Sequence, residues 1–333
     1  MTDHEDSLRN RWSRGDFADH PWGPTVVLAA LLAVTVLAAG VLVLARSKHL
    51  DAERRAAQLI EEVARDGLIT YLGSEPIARY YLLTRSGKVI GYATTRVAPV
   101  FPQPDTPVFT CRELTVRLSE YRRIESELVI ANDLSRYEMI EQSRELLSGK
   151  ITTGRQMFRN GVLALATRRG EQKLKPARHL RVNNLVPSPL VDFFTSLSVA
   201  RGPSSSEVIA FGTLIAIEQE HGQIFRLLKL RVLPQDNTPA KLEERFGQLS
   251  GATVEWPQQV SSQTQEPFTQ NIYYDSLHQL VWQKSLLPEP EIRRAVTHEE
   301  LIQAYPEAQQ VLQRWQRTED DEPNDGHPSL EGF

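Results

Sequence analysis

One cysteine, Cys111, stands in 333 residues, so no disulfide can form within the chain and a domain of this size must rely on its core. It lies in FTCRELTV with no histidine nearby in sequence to activate it, which marks it as a structural strand residue. The eight histidines form no i, i+4 pair and take no ligand spacing with cysteine or carboxylates, so no metal site is expected. Gly-x-Ser-x-Gly is absent, which excludes the serine nucleophile elbow. Gly149-Lys150 lacks the upstream glycine of a phosphate loop and is followed by Ile151 where Ser or Thr is needed. No catalytic residue and no cofactor are therefore assigned. Asn-x-Ser/Thr does not occur, so nothing cues glycosylation. Lysine and arginine are interspersed with acids in a chain of net charge -4. The concentrated basic face that nucleic acid requires is missing.

Charge is also missing from Thr25 to Ala45, TVVLAALLAVTVLAAGVLVLA, and this is the most informative absence. At ~1.5 Å per residue a helix of this run is about 31 Å long, matching a hydrocarbon core of ~30 Å. A cleaved signal peptide has a shorter apolar region nearer the start and a small-residue cleavage site. A retained transmembrane helix is the reading, with Thr25, Leu32, Val41 and Ala45 marking the anchor. Arg9, Arg11 and Arg14 on one side balance Arg46, Lys48, Arg54 and Arg55 on the other, so positive charge does not orient it. A short leader before a long domain is the signal-anchor arrangement. It places residues 1–24 in the cytoplasm and the bulk of the chain on the extracytoplasmic, periplasmic side of the cell membrane.

Residues 46–76 follow as an amphipathic segment. Ala56, Leu59, Ile60, Val63 and Ala64 recur at helical spacing, serving either a stalk or a packing helix, until Gly67, Gly73 and Pro76 end it. From Ile77 the period changes to two. Tyr80 to Leu83 and Val89 to Val97 form a hairpin about Ser86-Gly87, and prolines from Pro99 to Pro107 disfavour regular structure. Leu114, Val116 and Leu118 then alternate with Thr115, Arg117 and Ser119, one face buried and the other wet. Further strands are expected at 135–146, 150–158, 161–167, 207–218, 223–233, 272–275 and 277–286, joined by Gly or Asn turns. An antiparallel meander follows rather than a doubly wound sheet. Leu190, Phe193, Phe194 and Leu197 mark an internal helix near 188–200. Thr297 with Glu300 has the form of a capping box that opens closing helices near 297–316. After Arg317 come six acids and no base, a disordered acidic tail over 318–333. The fold class is α+β: one transmembrane helix, then a large antiparallel sheet over 77–317, an open half-barrel packed on helices.

Two readings compete for the aromatic residues. Tyr92, Phe193, Phe194, Phe211, Phe225, Tyr273 and Trp282 either fill an ordinary core or line a wide apolar groove between sheet and internal helix, suited to an acyl chain or an apolar peptide. Carboxylates such as Glu125, Glu127 and Asp275 are candidates for acid/base work, though alternation alone places Glu125 and Glu127 on a solvent face.

The order of elements, with GYATTRV as a second strand and YYDSLHQLVWQ near the end, resembles the half-barrel domains of the periplasmic lipoprotein-carrier group and related envelope proteins of unknown function. The resemblance spans residues 50–305. It implies an unclosed sheet wrapped on helices, a hydrophobic cavity, and binding rather than catalysis. A retained membrane helix and an acidic tail depart from that group, because a tethered domain cannot cross to another membrane. The expected function is a single-pass membrane-anchored domain binding an apolar ligand, lipid or lipidated peptide. The alternative is a structural or interaction subunit of a cell-envelope complex, holding an envelope protein through a sheet edge or through Arg117, Arg122 and Arg123.

Overall fold

Twenty-one apolar residues in a row can only be a helix where water is absent, and the chain obeys. The computed structural model describes residues 23–103, 106–159, 161–169, 178–181, 184–201, 208–219, 222–235, 238–256 and 268–317. Helix α1 runs Gly23–Asp66 and contains the whole apolar run. Two compact units divide the chain, one through Asp51 and one from Ala52.

In the first unit the apolar side chains are exposed among the described residues. Leu32 is 58% and Val41 63% exposed, and Ala45 is also exposed; Thr25 lies in the helix. The hydroxyl of Thr35 donates to the Leu31 carbonyl at 2.8 Å, so this polar group is satisfied within the helix. A helix this long and apolar, with none of its most apolar stretch buried, is suited to cross a bilayer.

In the second unit the same helix turns amphipathic, and the packing alternative holds: Ala52, Ala56, Leu59 and Val63 are buried along one stripe. Gly67, at φ 82°, ends it. A Cβ there would lie 2.3 Å from the Asn132 side chain. Asn132 supplies the start of helix α2 (Leu68–Leu72), accepting the Leu68 N–H on its carbonyl and the Ile69 N–H on Oδ1, both at 2.9 Å. Replacing Asn132 by alanine orphans the Ile69 donor and should cost about 1–2 kcal/mol, read as a lowered urea midpoint.

Among the described residues fourteen strands make one sheet: β1 (Ile77–Arg85), β2 (Lys88–Gln103), β3 (Thr106–Arg117), β4 (Arg122–Ala131), β5 (Arg136–Glu145), β6 (Ile151–Arg159), β7 (Val162–Arg169), β8 (Arg178–Arg181), β9 (Ile209–Gln219), β10 (Gly222–Gln235), β11 (Ser250–Trp256), β12 (Phe268–Tyr274), β13 (Leu280–Ser285) and β14 (Glu291–Val296). The spatial order is β8-β7-β6-β5-β4-β3-β2-β1-β14-β13-β12-β11-β10-β9. Two meanders are thus joined through the antiparallel β1–β14 pair, whose register sets Arg85 opposite Glu291. The sheet curls until β6 and β7, near one end, come against β10, near the other. Residues 184–186 pair with Gly212 along the β9 edge and satisfy part of it.

Helix α3 (Val191–Arg201), entered through a short 3-10 turn at Ser188–Leu190, packs on β10 and β11. Helix α4 is Ala240–Phe246. Helices α5 (His298–Ala304) and α6 (Ala308–Arg317) close the chain, and the capping box at Thr297 and Glu300 is formed at both of its hydrogen bonds.

Three expectations need correction. The Pro99–Pro107 stretch carries strand where none was expected: β2 continues to Gln103 and β3 begins at Thr106. β1 pairs β2 only as far as Val97, and β4 pairs β3 only from Val108. Pro99 and Pro102 therefore fall beyond the reach of β1 and Pro107 beyond the reach of β4, so a missing N–H breaks no second ladder on its own strand. Strands β8, β11 and β14 add to the expected set; β11 alternates over Ala252, Val254 and Trp256, whereas β8 reads RHLR and β14 EIRRAV, and β14 is placed by pairing with β1. The residues Thr115 and Arg117, assigned to a wet outer face, point inward, because Leu114 and Val116 on the other face are covered by α5 and α6. Of the expected leader at 1–24, residues 1–22 lie outside the described residues, as does the acidic tail at 318–333.

Candidate functional site

Along β3 the inward residues are Phe109, Cys111, Glu113, Thr115 and Arg117. The first two belong to the main core and the last three line a cavity. The same change occurs at the same level on the neighbouring strands. Tyr137 and Met139 give way to Glu141 on β5, Ile130 and Leu128 to Ser126 on β4, and Ala295 to Arg293 and Glu291 on β14. Glu113 is level with Ser126, and Ser126 with Glu141. The two glutamates thus lie two strand spacings, about 10 Å, apart at Cα. The inside of the sheet is apolar and filled at one end. Toward the other it opens into a chamber of ≈ 520 Å³.

Four apolar residues of the sheet, Leu83, Ala93, Ile124 and Trp256, line this chamber together with Leu287, and its charges are arranged in pairs. Arg293 donates to Glu113 at 3.1 Å and its guanidinium lies 4.3 Å above the Tyr81 ring. Arg117 donates to both oxygens of Glu291 at 2.9 Å, and Arg85 reaches the same carboxylate at 3.3 Å. Beneath them Asp192, in the first turn of α3, accepts from the Tyr274 hydroxyl at 3.3 Å. Burial pushes the Asp192 carboxyl up, against the opposing pull of Arg293.

Glu141 differs from the others. Among the described residues it has no hydrogen-bond or ion-pair partner, and its carboxyl faces the chamber. Burial first, and the nearby Glu113 second, push it up to about 7, against the pull of Arg122. At neutral pH it is divided between a hydrogen-bond donor and a charged acceptor, poised for a molecule in the chamber.

None of the seven aromatic residues read from the sequence lines this cavity. Phe193, Phe194, Phe211 and Tyr273 are buried in the main core, with Phe225 and Trp282 packed against it. The rings interlock, Phe193 on Phe194 at 5.2 Å, Phe194 on Phe211 at 5.9 Å, and Tyr273 on Trp282 at 5.5 Å. These six side chains belong to the main core or pack against it. Tyr92 is separated from them altogether. It points to the outer face, where it packs with Leu82, Leu114, Val116 and helices α5 and α6.

The candidate acids are likewise in structural use. Glu125 pairs with Arg123 at 2.7 Å and Glu127 approaches Arg112 at 4.0 Å. Asp275 pairs with Arg79 and accepts the Leu277 and Gln279 N–H groups, fixing a turn. Ser196 Oγ and His278 Nδ1 lie 2.9 Å apart, but Ser196 has no exposed surface, so the pair pins α3 to that same turn. Cys111 is buried, and burial pushes its thiol up to about 12, leaving it unreactive.

Sequence reasoning missed Glu113, Glu141 and Arg293. A signal was present: Glu113 shares parity with Phe109 and Cys111, so the strand carries a charge on the face of its apolar half.

No family model matches the sequence, and no curated protein matches it. Among solved structures, the chain is similar to a beta-barrel-like protein of a domain of unknown function, DUF1849, from Brucella abortus, with a TM-score of 0.43 and 11% identity, over 67% of this chain and 96% of that one.

Proposed function

We propose that the chain is a membrane-anchored binding protein, with its β domain on the extracytoplasmic side, that holds one amphiphilic molecule, a lipid or a lipidated peptide, in the inner chamber. Binding rather than catalysis is the reading. The observation that carries it is Glu141, a carboxyl lining a ≈ 520 Å³ cavity beside the ion pairs Arg293–Glu113 and Arg117–Glu291. A half-buried carboxyl without a partner is held partly out of water, and a ligand that hydrogen-bonds it recovers part of that cost. Leu83, Ala93, Ile124 and Trp256 offer the apolar part of such a molecule a surface beside the polar row.

Lipoprotein delivery by shuttling forms no part of this proposal, since an anchored domain stays with its membrane. In the interaction-subunit alternative a sheet edge or these arginines would hold the partner; within the domain Arg117 holds Glu291, Arg122 donates to Ser143 Oγ at 2.7 Å, and Arg123 holds Glu125.

Native mass spectrometry of the full chain, released from mild detergent, tests the proposal. A bound mass of lipid size is expected, and it should be depleted in Ser126→Phe, which fills the chamber between the two glutamates. A folded chain at its bare mass overturns the reading, and a stoichiometric protein partner without lipid favours the interaction subunit.

A further inference from the structure

Hairpin turns ordinarily carry Gly, Asn, Asp or Ser, because these residues tolerate the backbone and favour water. The turns around the chamber mouth carry such residues, Ser86-Gly87 and Ser148-Gly149 among them, but they also carry large apolar ones. Register places four of them at one end of the sheet: Arg85 pairs with Lys88 and with Glu291, Arg117 with Arg122, Arg122 with Glu145, and Arg144 with Ile151. At that end Val89, Tyr121, Leu146, Leu147, Leu286 and Leu287 are 41% to 73% exposed. Tyr121 holds φ 48°, a left-handed conformation costly for a bulky side chain. The Leu146 N–H donates to the Tyr121 carbonyl at 2.6 Å, tying two of the turns together. At the opposite end of the same strands the exposed large apolar residues are Phe101, Met157, Val162 and Leu277, among the described residues, and they do not surround a chamber mouth.

We infer that this apolar rim is a bilayer-contacting surface through which the chamber exchanges its ligand with the lipid phase. The inference rests on the reading of the chamber as an amphiphile site, and it names the source of the amphiphile. Three observations favour a bilayer as the occupant. The chain carries a helix long and apolar enough to span one, so a bilayer is always within the domain's reach. The rim surrounds the cavity mouth, where Leu287 belongs to both. An acyl chain passing from membrane to protein through water would cost about 0.8 kcal/mol per methylene, and a rim seated in the lipid surface avoids that exposure. The exposed charges between the tips, Lys88 and Arg144 against Glu120, Glu145 and Glu289, are of mixed sign. Contact is therefore expected with zwitterionic lipid and should change little with salt.

The test uses the full chain reconstituted in phosphatidylcholine vesicles, with an environment-sensitive fluorophore on Leu147→Cys or, as control, Leu277→Cys. Cys111 is buried and does not compete for the label. Emission at position 147 should shift to the blue and be quenched severalfold by spin-labelled lipid, while position 277 stays in water. Equal behaviour at both positions, or a wet probe at 147, overturns the inference. A blue shift that spin-labelled lipid does not quench places a second copy at the rim and overturns it as well. Bound lipid by mass spectrometry with a wet position 147 removes the rim and leaves the chamber; a lipid-quenched position 147 with an empty chamber does the reverse.

Discussion

Replacing Arg293 by methionine is expected to destabilise the β domain by about 3–5 kcal/mol, the cost of removing one member of a buried ion pair. Arg293 is 18% exposed and faces Glu113 at 3.1 Å, the Tyr81 ring at 4.3 Å and the field of Asp192. Methionine keeps much of the volume and the contact with the ring, but leaves the carboxyls without their cation. They must then take up protons or sit charged in a partly dry chamber. The loss should accordingly be largest at high pH and shrink as the solution is acidified. A second substitution, Glu113→Gln, should recover part of the loss, because it removes the charge that Arg293→Met stranded. Urea denaturation of the four proteins of this cycle at two pH values measures it. Additive losses from the two single changes would show that the pair does not interact and would refute the account of the chamber given above.

Glu141→Gln is expected to act in the opposite direction. The carboxyl is raised from 4.5 to about 7 in the folded domain, so between those values the native state binds a proton that the unfolded chain has released. Stability contributed by protonation is complete below the unfolded value and is lost as pH rises through the folded one. Above pH 7 the folded protein carries the full cost of an ionised, unpaired carboxyl, at most about 3 kcal/mol from that shift and less to the extent that the chamber is wet. Glutamine removes that cost. The variant should match the parent near pH 4 and exceed it in melting temperature at pH 8. Equal stabilities at pH 8 would mean that Glu141 is solvated or paired. The same variant should weaken retention of the chamber's ligand, so stability and binding move apart, as expected when a site holds a destabilising group for use.

Much of the scaffold was legible because it depends on local periodicity. The apolar run at Thr25 to Ala45 and the stripe Ala56, Leu59 and Val63 follow from helix geometry. The strands around Tyr81, Leu114, Tyr137 and Phe211 follow from alternation, and the capping box at Thr297 from its spacing. The site was not legible for the same reason. Alternation divides β3 into Leu114 and Val116 against Glu113, Thr115 and Arg117, but a period of two has no inside or outside. The apolar set looked buried and the polar set wet; both are covered, one by α5 and α6 and the other by the curl of the sheet. Prolines misled in a related way, since their effect depends on whether a neighbouring strand is present at that level, as at Pro99 and Pro107.

The sequence by itself determined that the chain carries a helix fit for a bilayer and that an antiparallel sheet follows it, because both are properties of residues close together along the chain. Only the tertiary structure decided which polar residues meet. Glu113 and Arg293 are 180 residues apart, and they come together because β1 pairs with β14 and the sheet closes over its own inner face. The chamber and its unpartnered carboxyl are products of that closure. Burial and the field of neighbouring charges, which set the chemistry of Glu141, exist only once distant strands have excluded water from it.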